Sequence, residues 1–470
     1  MYLKYFYDNE LAQASYMVGC QKTGEAVVID PSRHVQEYLN VAEEQGFTIT
    51  GGLETHIHAD FVSGTVELAA RTGAVIYHSV EGAENGGYAL SSSLNIKGVR
   101  DQDRIQIGNV WIDVLHTPGH TPEHVSYLLT DGANPEKPIG VFTGDFVFVG
   151  DVGRPDLLEK SVGVEDSADA GARQMFASIQ AFKQYEDYLQ IWPGHGAGSS
   201  CGKALGAVPT STVGYEKMFN PAFQPEHEQE FVDFLLDGQP EPPAYFANMK
   251  EMNKYGAALL SEVRPPVRLS IDAEEMEKLA EESTKMVVDT RKTAAYARGH
   301  IPGTINITYP EAFTEWMGWL TDYDSDVYLI GDDKDHEAMK DALYGIGIDR
   351  IAGLISTSVV EQAEHLRTYE NITPKETKEE QEAGNLRVLD VRFQDERERE
   401  HIPGAEHIML GRLPSTSDQD LPPKDKPVAV HCGSGKRSAI AASILLNKGY
   451  DVKNMLGGMM KWKNENLETA

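Results

Sequence analysis

Two groups of side chains in this chain have types and spacings that can do chemistry. In LETHIHADFVSG, residues 53–64, His56, His58 and Asp60 stand at alternate positions after a Gly-containing turn. In an extended loop that spacing turns imidazoles and a carboxylate toward one side, where neutral nitrogen and charged oxygen bind a borderline cation. HTPGHTPEH adds His116, His120 and His124, TGDF adds Asp145 at the end of an apolar run, and WPGHG adds His195. Each falls in a tight Gly/Pro turn at an expected strand end, where a rigid scaffold presents functional groups. His34, His78 and His227 have no such company and read as ordinary structural histidines.

The second group lies near the end of the chain, in PVAVHCGSGKRSAIAASILL. It reads as a buried strand, a short turn and an amphipathic helix. Cys432, Gly433, Ser434, Gly435, Lys436, Arg437 and Ser438 form the turn, and its glycines let successive N–H groups converge on one centre at a helix N-terminus. Such a nest stabilises a sulfur anion, so Cys432 is the expected nucleophile and carrier of sulfane sulfur, with the rest of the turn as its binding loop. Arg437 is read either as a ligand for thiosulfate or sulfite or as a strut that closes the loop. A cysteine phosphatase loop usually separates Cys and Arg by five residues; CGSGKR separates them by four.

The elements that must hold these groups alternate. AVVID, VWIDVL, IGVFTGDFVF (139–148), KMVVD, VYLIG, LRVLDV and PVAVHC are short and β-branched, so they predict buried strands. EYLNVAEEQG and SAIAASILLNKG predict helices between them. The pattern implies α/β architecture throughout. Length alone, 470 residues, suggests roughly three domains. Pro-rich and charge-rich joints near 239–270 and 369–385 place them at 1–262, 267–368 and 372–470.

The last two are copies of each other: VVDTRKTAAYARGHIPGTINI returns as VLDVRFQDERERE-HIPGAEHI, with Asp289, Arg291 and His300 matching Asp390, Arg392 and His401 at one constant offset. The same offset puts Gly331 where the later copy has Cys432, and GDDKDHEA where it has CGSGKRSA. The middle copy is therefore read as catalytically inactive and structural, holding the other two domains in register or forming a subunit interface of an expected homo-oligomer. The net charge of −31 opposes phosphate backbones and anionic lipid, which excludes nucleic acid and membrane as partners. Three scattered cysteines without a CxxC pair, and no apolar leader, fit a cytoplasmic protein.

The ordered series HxHxD, PGH, GD, PGH resembles the metallo-β-lactamase fold, an αββα sandwich. Hydrolases of that fold usually read HxHxDH, and here the last position is Phe61. Losing that imidazole removes a ligand of a second metal, so a single-metal site is expected, the pattern of the persulfide dioxygenase branch. The resemblance implies His56, His120 and Asp145 as ligands of one Fe(II) per chain, a facial triad with open positions for O2 and a low-molecular-weight thiol persulfide. It makes His58, Asp60, His116 and His195 pocket groups that orient the triad, and gives Arg154, in GDVGRPD, the task of holding the thiol carrier.

Glutathione-using members place a tyrosine soon after PGH; HGAGSSCGKALG has none. That counts against glutathione and leaves coenzyme A, bacillithiol, cysteine or inorganic polysulfide. Cys201, in the same loop, is either a substrate-binding sulfur relay or a bystander. VLDVR, HIPGA, the Cys432 loop and GGMMKW together resemble a rhodanese over 372–470. The whole chain thus resembles a bacterial persulfide dioxygenase–rhodanese fusion. The implied activities are oxidation of the persulfide to sulfite and thiol, and rhodanese transfer giving thiosulfate, in sulfide detoxification. The rivals are a glyoxalase-II-like thioester hydrolase fused to a sulfurtransferase, and a non-enzymatic sulfur-binding scaffold.

Overall fold

The computed structural model describes residues 1–82, 87–282 and 284–470. The chain forms two compact units: residues 1–263 with 344–347, and 264–343 with 348–470.

The first unit stacks two six-stranded sheets, each running in chain order, from Tyr2–Asp8 to Ile96–Val99 and from Arg104–Ile107 to Ser211–Thr212. Alternate residues of facing strands fill the space between them. Val18, Val27 and Ile29 of one sheet share a core with Val114, Tyr127 and Phe142 of the other. Helices cover the outer faces, through Tyr38 and Leu68 on the first and Met175, Ile179 and Phe182 on the second. The result is the expected αββα sandwich. One expected strand is shorter than its apolar run. IGVFTGDFVF is extended only over Gly140–Gly144, because Gly144 takes φ +49° and the Phe146 N–H turns back to the Thr143 carbonyl. That break lifts Asp145 out of the sheet.

The second unit holds two five-stranded sheets of the same topology, every strand pair parallel. All-parallel sheets need cover on both faces, which explains the unbroken apolar runs Met286–Val288 and Val428–Val430 inside these strands. The two copies pack on each other through the helix Lys436–Asn447 and the short strand Ile305–Asn306. The Asn306 N–H donates to Ser443 Oγ at 3.0 Å, and Asn447 Nδ2 donates to the Gly303 and Thr304 carbonyls. Trp316 and Trp319 of the middle copy pack on Phe393 of the last, at ring distances of 6.3 and 6.1 Å. Cys20, Cys201 and Cys432 are buried free thiols. Among the described residues no helix is long and apolar enough to cross a membrane.

Candidate metal centre and sulfur-carrying loop

Four strand ends meet at one edge of the sandwich. Thr48–Leu53 delivers His56, Val110–His116 delivers the His120 loop, Gly140–Gly144 delivers Asp145 and Gln190–Pro193 delivers His195. His56, His120 and Asp145 converge, with His56 Nε2 3.8 Å and His120 Nε2 3.5 Å from Asp145 Oδ2. The tautomers follow from the outer partners. His56 Nδ1 lies 2.9 Å from Thr55 Oγ1, whose hydroxyl donates to Asp30 Oδ2 at 2.8 Å, so Nδ1 carries the proton. His120 Nδ1 donates to the Arg154 carbonyl at 2.8 Å. Both Nε2 lone pairs therefore face inward.

Burial and the neighbouring imidazoles hold His56 well below the usual histidine range, and burial lowers His120 against the pull of Asp145. Neutral imidazoles are ligands. His56 Nε2 and Asp145 Oδ2 are buried without a hydrogen-bond partner, a loss native interiors avoid unless something else satisfies the atoms. The two-nitrogen, one-oxygen donor set fits a divalent metal ion, and this is a His/Asp metal site.

The remaining histidines do other work. His195 places Nδ1 2.7 Å from Asp145 Oδ1 and Nε2 2.6 Å from Asp60 Oδ2. Burial would lower its pKa, but the two carboxylates outweigh that and push it up to about 10. Both of its ring nitrogens face a carboxylate. Asp145, despite full burial, is kept well below the usual carboxylate range by His195. His124 Nε2 accepts the Asp145 N–H at 3.1 Å, which aims that backbone. His58 turns away from the centre, 3.2 Å from Asp30 and 3.4 Å from Glu54, and the Phe61 ring packs on it at 4.4 Å. His116 bonds the Pro122 carbonyl within its own loop.

Arg154 requires a correction: it does not face a carrier. Its guanidinium is fully buried, donates twice to Asp156 (2.7 and 2.9 Å) and reaches the Ser200 and Pro240 carbonyls. With its donors committed, it braces three loops while its own carbonyl orients His120. Cys201 does reach the centre: its sulfur belongs to a cluster with Asp60 and His195, and burial with those acids raises its thiol pKa well above the usual value. Spacing did not reveal Thr55, Asp30 or Lys250. Thr55 adjoins a ligand, and Asp30 ends the adjacent strand, but Lys250 comes from a distant helix, Phe246–Tyr255.

In the last domain the strand Val428–His431 ends at Cys432 and the helix Lys436–Asn447 starts beyond Gly435. The Gly435 N–H points at Cys432 Sγ at 3.1 Å, and the thiol faces Ser438 Oγ at 3.6 Å, itself donating to Asn454 at 2.7 Å. The Met459 and Met460 N–H groups hold the Cys432 and Gly433 carbonyls at 2.8 and 2.9 Å. One loop assignment is narrowed and one is corrected. Of the two roles read for Arg437 the contacts match the strut: it donates to both oxygens of Glu396, one at 2.7 Å, and lies over the Phe393 ring, which closes the loop. Lys436 is exposed and pairs with Glu311 of the middle copy at 2.5 Å, away from the sulfur. Gly433 and Ser434 form the loop's rim. In the middle copy the strand Asp326–Gly331 leads to Asp332, Asp333 and Asp335, with no thiol among them.

Residues 8–195 match the Metallo-beta-lactamase superfamily, and residues 272–354 and 373–465 each match the Rhodanese-like domain. A solved metallo-beta-lactamase from Staphylococcus aureus subsp. aureus COL is 46% identical, over 76% of this chain and 98% of that one, with a TM-score of 0.68. The hydroxyacylglutathione hydrolase of Rhodospirillum rubrum is 31% identical over 38% of this chain and 60% of its own length. The probable polyketide biosynthesis zinc-dependent hydrolase PksB of Bacillus subtilis is 27% identical over 44% of this chain and 80% of its own. The chain thus spans less than two thirds of the hydroxyacylglutathione hydrolase it resembles.

Proposed function

Because the chain belongs to the metallo-beta-lactamase superfamily and carries two rhodanese-like domains behind that domain, we propose that it is a persulfide dioxygenase joined to a sulfurtransferase. The first unit would convert a low-molecular-weight thiol persulfide, O2 and water to sulfite and free thiol. Cys432 would hold sulfane sulfur as a persulfide and pass it to sulfite, releasing thiosulfate and regenerating the thiol. One observation carries the reading: the His56 and Asp145 donors are orphaned and converge with His120 Nε2, whereas Phe61 stands where the two-metal hydrolase motif carries its further histidine and His195 is engaged by Asp60 and Asp145. The missing imidazole weakens a second inner-shell site and supports one ion on the His56, His120 and Asp145 triad, with the Asp60, His195 and Cys201 cluster beside it.

A ferrous ion on that triad supplies redox chemistry and open positions for O2 and sulfur. The protein's part is to keep both imidazoles neutral and aimed, through Thr55 and the Arg154 carbonyl, and to fix Asp145 through His195 and His124. In the last domain the Gly435 N–H is the group placed to receive negative charge on sulfur.

The test is anaerobic purification, metal quantification, and oxygen uptake with product analysis on several persulfides. One iron per chain, oxygen consumption and sulfite or thiosulfate are expected; two zinc ions and no oxygen uptake would overturn the reading. The similarity to hydroxyacylglutathione and zinc-dependent hydrolases supports a second one, thioester hydrolysis. Rapid thiol release from S-lactoyl thioesters with zinc bound would favour it.

A further inference from the structure

Beside the metal centre lies a cavity of about 530 Å³, the size of a small-molecule site. Ile57, which follows His56, and Pro122 and Glu123, which follow His120, line it, so it opens along the loops that carry two ligands. Lys250 lines it too. This lysine is only 8% exposed, yet its ammonium makes no hydrogen bond or ion pair among the described residues. An ammonium that reaches only an enclosed cavity is poorly solvated and gains from a partner of opposite charge. Burial lowers its pKa, and Glu123 pulls it back up. The Glu123 carboxylate uses Oε1 to accept the Ile57 N–H at 2.9 Å. Acid and base thus line one cavity, near enough for each to feel the other's charge but not joined as an ion pair.

We propose that this pair recognises the zwitterionic head of a free amino acid, Lys250 taking the α-carboxylate and Glu123 the α-ammonium, so that the carrier delivered to the metal is cysteine persulfide. The assignment rests on the reading of this cavity as the persulfide site. Coenzyme A offers neither group next to its sulfur, and the two charges are complementary to the two ends of a free cysteine. The alkyl faces of Leu158 and Ala247 suit its short side chain.

The test uses the full-length protein and the stable disulfide S-(methylthio)-L-cysteine as a persulfide isostere. It is titrated calorimetrically beside its N-acetyl derivative, which lacks the ammonium, and S-(methylthio)cysteamine, which lacks the carboxylate. Each truncated ligand should bind at least about tenfold more weakly. Lys250→Met should erase the penalty for the missing carboxylate, and Glu123→Gln the penalty for the missing ammonium. Equal affinity of the three ligands on the unaltered protein overturns the proposal, as do unchanged preferences in the variants. The ranking on the unaltered protein decides the matter even if a variant fails to fold. Oxygen uptake is measured separately with the corresponding persulfides. A ranking without oxygen uptake sinks the dioxygenase reading and keeps the amino-acid site, whereas uptake without a ranking does the reverse.

Discussion

At the scale of single residues, the metal centre is held by partners that never touch the ion. Thr55 is the clearest case, since its hydroxyl links His56 Nδ1 to Asp30 and so sets which nitrogen is free. Thr55→Val keeps the shape and removes the link. Metal affinity should fall about 10- to 100-fold, the usual effect of losing such a partner, measured by competition with a calibrated chelator. The ligands themselves were legible from sequence because their types and turn positions repeat a known order. Arg154 misled for a physical reason: an arginine near a site reads as a cation for substrate, and only the structure shows Asp156 two residues on claiming it. Lys250 was illegible because a buried lysine leaves no periodic or motif signal.

At the scale of elements, the sulfur loop depends on a second turn that presses against it. Gly458 has φ +53°, and a Cβ there would stand 2.1 Å from the Cys432 carbonyl oxygen, in the backbone itself. Gly458→Ala must push the two turns apart and loosen the N–H groups that hold the loop. We expect a loss of about 1–3 kcal/mol in the stability of the second unit, read by denaturant unfolding, with a parallel fall in thiosulfate formation. The strands and helices bearing these turns were readable from β-branched runs and helical spacing. The Gly140–Gly144 strand was overread, since DFVF is as apolar as a strand yet buries its phenylalanines after a turn. Hydrophobicity marks burial before it marks extension.

At the scale of the whole molecule, the duplicated half shows what a copy without a thiol can still do. Its edge strand lies along the helix that follows Cys432 and its two tryptophans pack on Phe393, so the two copies share one interior. That half should also be acid-sensitive. Burial pulls His431 down to about 4, against Asp390 at 3.7 Å, while the unfolded chain titrates near 6.5. Between those values the unfolded state binds the extra proton, so stability falls as pH drops from about 6.5 to 4, by about 3 kcal/mol if the site stays dry. Unfolding midpoints of the second unit across that range should drop accordingly, and His431→Gln should flatten the slope. The three-part organisation was visible in the repeat and the joints, whereas the packing between copies was not, because Asn306, Ser443 and Phe393 lie far apart along the chain and carry no shared pattern. Arg154 finally ties a late segment of the first unit to the metal pocket. Its side chain clasps carbonyls as far along as Pro240 while its own carbonyl steers His120. The aim of one metal-facing imidazole is thereby coupled, through a single arginine, to a loop more than a hundred residues downstream of it.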